Sequence, residues 1–156
     1  MKAYPKPVRE NKQNTLEQLE DVVRRIVFWR DGSQCVEAEL DGGRCHGSIQ
    51  WGHFIPRQQS KFLKYDIGNS FCQCQTHNYL HDKGSQTFAA WYAGKFGPRA
   101  LSNIETAARL NVGRKIYVAD YKEQLEKYIA MFENRPSEYD FDTLVQLGYY
   151  GEWPKG

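Results

Sequence analysis

The stretch 69–78, NSFCQCQTHN, decides how this chain is read. It contains Cys74-Gln75-Thr76-His77, a Cys-x2-His knuckle whose tight spacing turns a thiolate and an imidazole toward one ion. Upstream, Cys35 and Cys45 flank Asp41-Gly42-Gly43, a turn signal that can bring their two sulfurs together. Cys35, Cys45, Cys74 and His77 thus supply three thiolates and one imidazole, a closed tetrahedral set for structural zinc. Cys72 is the spare, since four residues separate it from His77, too many for a knuckle. His46, next to Cys45, is the alternative structural ligand. The start MKAYPKPVRENKQ is polar and carries no export signal, so the thiols are expected to stay reduced in a cytoplasmic protein. Zinc would also let a segment poor in apolar residues fold.

Working outward, residues 1–14 read as an extended arm containing Pro5 and Pro7. A helix is expected from Thr15, where Thr15 and Gln18 form a capping-box pattern. Leu16, Leu19, Val22, Val23, Ile26 and Val27 follow at helical spacing, and Asp31-Gly32 ends the run. The segment from Cys35 to Gly47 reads as a loop or irregular hairpin, and Ser48 to Ile55 as a strand. A basic loop then spans Pro56 to Asn69. A helix is expected from about Asn78, broken near Gly84 and resuming over Thr87–Lys95. Pro98 suits the first turn of the next helix, which ends near Asn111. Asp120 to Asn134 carries Tyr121, Leu125, Tyr128, Ile129 and Phe132 on one stripe. Residues 15–134 are therefore taken as one domain, and 135–156 as an acidic, aromatic tail that packs against it or a partner. Trp91, Tyr92 and Phe96 read as core.

A net charge of +2 over 156 residues hides an uneven distribution. From Gly42 to Lys115 ten basic residues stand against three acids, a balance of +7; from Ile116 onward eight acids oppose four bases, a balance of −4. A basic middle of this kind can neutralise phosphates. No apolar run approaches the ~20 residues of a membrane span, which argues against a membrane role.

Between the metal-ligand clusters stand Gly52-His53-Phe54-Ile55-Pro56-Arg57, then Asn69, then Asn78 directly after His77. This ordered set of Cys, Cys, Gly-His, Asn, Cys-x2-His and Asn resembles the HNH, or His-Me finger, nucleases. Within them it is similar to the phage NinG/Rap recombination endonucleases, over about Cys35 to Lys95. The resemblance implies an α+β fold: a zinc-stapled treble-clef, or ββα-metal, nuclease core with added α-helices. It also implies a metal-dependent endodeoxyribonuclease acting on branched DNA such as Holliday junctions, working as a homodimer. His53 matches the general base, Asn69 the residue that orients it through Nδ1, and Asn78 a ligand of the catalytic Mg²⁺ or Mn²⁺. Arg57 stands where it can contact the scissile phosphate, His81 one helical turn beyond Asn78 where it can join the metal, and Lys61 and Lys64 where they can bind DNA. This sequence departs from the common pattern at Gly52, where many such enzymes place an acid that holds the metal, and at His77, which replaces a cysteine. The other readings are a non-catalytic zinc-finger DNA-binding module and an HNH nuclease for phage genome packaging.

Overall fold

The structure, a computed structural model, describes residues 11–155. The expected arm at 1–14 therefore lies mostly outside the described residues. Its last part belongs to helix α1 (Lys12–Arg30), which starts one turn earlier than the capping-box pattern suggests. Asn11 is the cap, its side chain accepting from the Asn14 N–H at 2.9 Å. Thr15, expected to start the helix, is buried within it. Leu19, Val22, Val23, Ile26 and Val27 are fully buried on one stripe of α1, and Leu16 is partly buried against the same core, so the apolar periodicity is realised.

The segment expected as an irregular hairpin after Cys35 instead winds into a short helix, α2 (Ala38–Asp41), followed by a single 3-10 turn at Gly42–Arg44. Four residues are too few for periodicity to announce a helix. Strand β1 (Ile49–His53) and strand β2 (Ser70–Cys74) pair antiparallel, with Ile49 opposite Cys74 and His53 opposite Ser70. Helix α3 (Gln75–Asp82) leaves β2 without a loop, capped by the Cys74 sulfur. It begins three residues before Asn78, so Asn78 sits in its first turn. Then come α4 (Thr87–Phe96), α5 (Pro98–Leu110), α6 (Val118–Glu133) and α7 (Phe141–Gln146). The architecture is α+β: a two-stranded sheet among helices.

Helix α1 packs chiefly on α6, and β2, buried along its whole length, lies between α1 and α3. The residues after 134 are integral to the core rather than an appended tail. Leu144, Tyr149 and Tyr150 are buried, and Tyr150 packs on Phe96 and Phe141 with ring centroids 5.1 and 5.2 Å away. Trp91 and Tyr92 are buried and Phe96 packs against them, as core residues should.

One buried cation ties these layers together. Arg30 donates to the carbonyls of Ile67, Tyr149 and Ser70 at 2.7–2.9 Å and to both carboxylate oxygens of Asp31 at 2.8 and 3.1 Å. All five guanidinium N–H donors are engaged, the condition under which a buried arginine is tolerated. Asp31 also accepts from the Cys72 N–H at 2.9 Å, so the pair fixes the end of α1 to β2 and to the C-terminal segment. Among the described residues no helix is long and apolar enough to cross a membrane.

Candidate metal centre and adjacent cleft

The four residues with metal-ligand spacing converge. The sulfurs of Cys35, Cys45 and Cys74 and a ring nitrogen of His77 all lie within 4.8 Å of one another. His77 Nδ1 is 3.4, 3.5 and 3.2 Å from the three sulfurs. For bonds of about 2.3 Å to sulfur and about 2.05 Å to nitrogen, a tetrahedral S···N edge is about 3.6 Å. The three S···N edges are slightly shorter than that value, and the cluster could hold a zinc ion. The route to it is local: α2 and the 3-10 turn return Cys45 to Cys35, and the β2–α3 junction presents Cys74 and His77 together.

The thiols respond to this crowding. Burial pushes Cys35 up to about 12, although the backbone N–H groups of Cys74 and Glu37 favour its thiolate. Burial also raises Cys74, but hydrogen bonds from the His77 and His46 backbone and from the His77 ring outweigh it and bring it to about 7. Behind the cluster, His77 Nε2 lies 3.1 Å from Asp41 Oδ2, the carboxylate–imidazole arrangement that fixes the ring so that Nδ1 faces the three sulfurs. Asp41 reads in the sequence only as part of a turn. Cys72 is indeed the spare: it is buried against α1, 3.8 Å from the Val27 carbonyl, and burial pushes it up to about 12. His46 is exposed and its side chain lies outside the cluster, so it is not an alternative ligand; its carbonyl accepts from the Thr76 N–H at 3.2 Å.

Beside the cluster, the hairpin and α3 enclose a cleft of ≈ 340 Å³. His53, Arg57, Asn78 and His81 all line it, with Trp51 and Tyr79. Lys61 and Lys64, on the 54–69 loop, do not. His53 is 8% exposed, at the end of β1 with its ring 4.4 Å from that of Trp51. Its Nε2 lies 2.9 Å from the Lys64 carbonyl, so the neutral ring carries its proton on Nε2 and keeps a lone pair on Nδ1. Burial lowers its pKa to about 4, helped by Arg57 and Lys64 and opposed by the hydrogen bond to the Lys64 carbonyl.

Contrary to the expectation from the sequence, Asn69 does not grip His53 directly. Asn69 is fully buried, accepts from the Ile55 N–H at 2.7 Å, and donates to the carbonyls of Ile55 and Leu63 at 3.0 and 3.1 Å. These bonds exhaust its amide on backbone. Its effect on His53 is once removed: it fixes Leu63, and the next carbonyl, Lys64, holds the ring. The ring is pinned at Nε2, opposite to the expected Nδ1. A backbone carbonyl carries no mark in a sequence, so Lys64 could be found only as a cation.

On α3, the Asn78 Nδ2 donates to Gln50 Oε1 at 2.8 Å, leaving its own oxygen available. The amide orientation is set by that bond. His81 Nε2 donates to the Phe54 carbonyl at 2.8 Å, and its Nδ1 is buried without a partner among the described residues. An unpartnered imidazole nitrogen is a group whose lone pair a divalent cation can satisfy. Comparison with protein-family models, with curated proteins and with solved structures finds no significant match.

Proposed function

We propose that this chain is a metal-dependent DNA endonuclease of the HNH type, its zinc-stapled ββα unit acting on branched DNA. What supports the reading is that one cleft, next to a Cys3His cluster, is lined by a buried neutral histidine, an arginine, an asparagine and a second histidine. The zinc is structural, since all four of its positions are taken by protein. Asn78 and His81 would hold a catalytic Mg²⁺ or Mn²⁺, whose chemistry is to stabilise charge on the phosphate and the departing oxygen.

His53 takes the proton from the attacking water at Nδ1. The Lys64 carbonyl holds the opposite nitrogen and accepts a stronger hydrogen bond as the ring charges, which offsets the cost of burying an imidazolium. Arg57 engages the scissile phosphate through its planar fork. Trp51 keeps the ring from rotating out of line. The substrate proposed is branched DNA, cut by a homodimer because two coordinated cuts require two active sites, in phage recombination.

A panel of junction, flap and linear DNAs, incubated with Mg²⁺ or Mn²⁺ and with EDTA, tests the reading. Metal-dependent cutting that favours the branched forms is expected. Cutting of linear duplex alone would turn the proposal toward genome packaging, and inactivity on every DNA, with binding retained, toward a zinc-finger binding module. The basic middle adds a second expectation. Replacing Arg57, Lys61 and Lys64 together by neutral residues should flatten the log–log salt dependence of DNA affinity by roughly two to three units, at about 0.9 per phosphate contact. An unchanged slope would place the DNA along another basic surface, such as that from Arg99 to Lys115.

A further inference from the structure

The face of β1 that carries Gln50 and Gly52, and Phe54 just beyond the strand's end, lie beneath α3. Asn78 reaches down to Gln50, and His81 reaches the Phe54 carbonyl, its ring stacked over the Phe54 ring at 6.0 Å and 13°. Gly52 lies between them, and it has no room for a side chain: a Cβ there would stand 1.8 Å from Gln73 Oε1. Gln73 is fully buried, and its Nε2 donates to Glu37 Oε2 at 2.5 Å. Glu37 is itself 1% exposed. With the amide nitrogen committed to Glu37, Oε1 points to where a side chain at 52 would begin, and it has no partner among the described residues. His81 Nδ1, the second unpartnered polar atom here, belongs to the residue that crosses the same face of the hairpin. A buried acceptor left open is costly, and one held in place by a buried carboxylate is a preorganised ligand.

We propose that Gln73 Oε1, fully buried behind the wall of the cleft, is a ligand of the catalytic divalent cation, delivered from β2 to the position where a side chain at 52 would begin, on the face of the hairpin that Asn78 and His81 cross. The inference rests on the reading of this cleft as a divalent-metal site. It accounts for the glycine at 52: the oxygen has moved to the partner strand, and a side chain at 52 would collide with it. Two amide oxygens and an imidazole suit Mg²⁺ or Mn²⁺ and would discriminate against thiophilic ions. Glu37 stands behind Gln73 as Asp41 stands behind His77, a carboxylate orienting and polarising a neutral ligand.

The test is Mn²⁺ binding to the zinc-loaded protein without DNA, followed by the loss of the free-ion electron paramagnetic resonance signal. Gln73→Leu should weaken binding at least tenfold, and Asn78→Ala comparably. The exchange variant Glu37→Gln/Gln73→Glu keeps the buried pair and places the carboxylate at the ion, so it should bind Mn²⁺ at least as tightly as wild type. Zinc content and thermal unfolding identify any variant that has failed to fold. If Gln73→Leu does not fold, the exchange variant decides: retained Mn²⁺ binding supports the ligand role, and a folded exchange variant without it overturns that role. A folded Gln73→Leu that binds Mn²⁺ like wild type, while Asn78→Ala is impaired, overturns this inference and leaves the proposed cation site standing. Wild type that binds no Mn²⁺ beyond its zinc removes the site altogether.

Discussion

Stripping zinc with a strong chelator is expected to unfold the Cys35–His77 region and abolish DNA binding and cutting together. The freshly purified protein should carry about one zinc per chain. Cys74→Ser should lose that zinc and fold poorly, because Cys74 is at once a member of the Cys3His cluster, the last residue of β2 and the cap of α3. Cys72→Ser should keep its zinc, since Cys72 faces α1 instead of the cluster. Asp41→Ala should weaken zinc binding roughly 10- to 100-fold without removing a ligand, the usual effect of losing the group behind a metal-bound histidine. The pH dependence has a definite sign. Cys35 is held protonated at neutral pH by burial, so zinc must displace a proton to bind, and apparent affinity should fall as pH falls. Elemental analysis alongside thermal unfolding checks each step. Fewer than about 0.2 zinc per folded chain, or a Cys74→Ser protein as metal-rich as wild type, would remove the structural role assigned to this cluster.

The parts of the molecule legible in the sequence are those set by side-chain type at fixed spacing. The Cys3His set came from counting residues between ligands, because a knuckle is a local geometry. The stripes of α1 and α6 came from helical periodicity, and Pro98 marked the start of α5. What stayed hidden depends on backbone groups or on contacts between distant segments. The Lys64 carbonyl that holds His53 has no residue type. Arg30 looks like any basic residue closing a helix, and its five bonds reach segments up to 119 positions away. Glu37 and Gln73 look like surface polar residues until β2 is buried on both faces. The segment after 134 reads as a tail because its aromatics have no periodicity; only the packing of Tyr150 on Phe96 and Phe141 places it in the core. Asn69 is the instructive correction. It is fully buried, but its amide bonds to the loop whose Lys64 carbonyl holds His53.

That distinction fixes the second large effect. His53→Ala is expected to slow single-turnover cleavage by ~10² or more, the scale of losing a general base, with zinc content and DNA affinity unchanged. Asn78→Ala should fail differently: the cation is bound less tightly, and high Mn²⁺ restores only part of the rate. Asn69→Ala should show first in stability. It strips the partners from the Ile55 N–H and from two carbonyls, a loss on the order of 3 kcal/mol, and its rate defect follows from the displaced Lys64 carbonyl. The pH profile separates a buried base from an exposed one. As the proposed base, His53 would act only when unprotonated, and burial has moved its pKa down to about 4. In the free protein the unprotonated fraction therefore stays near one from pH 7 to pH 5 and falls only as pH approaches 4. An ordinary histidine would already lose most of its base form by pH 5.5. The expected kcat/KM is accordingly flat between pH 7 and 5, with zinc content verified at each point. A decline centred near 6.5 would assign the base to another group. Wild-type cutting that persists in EDTA, or His53→Ala cutting at the wild-type rate, would end the mechanism itself.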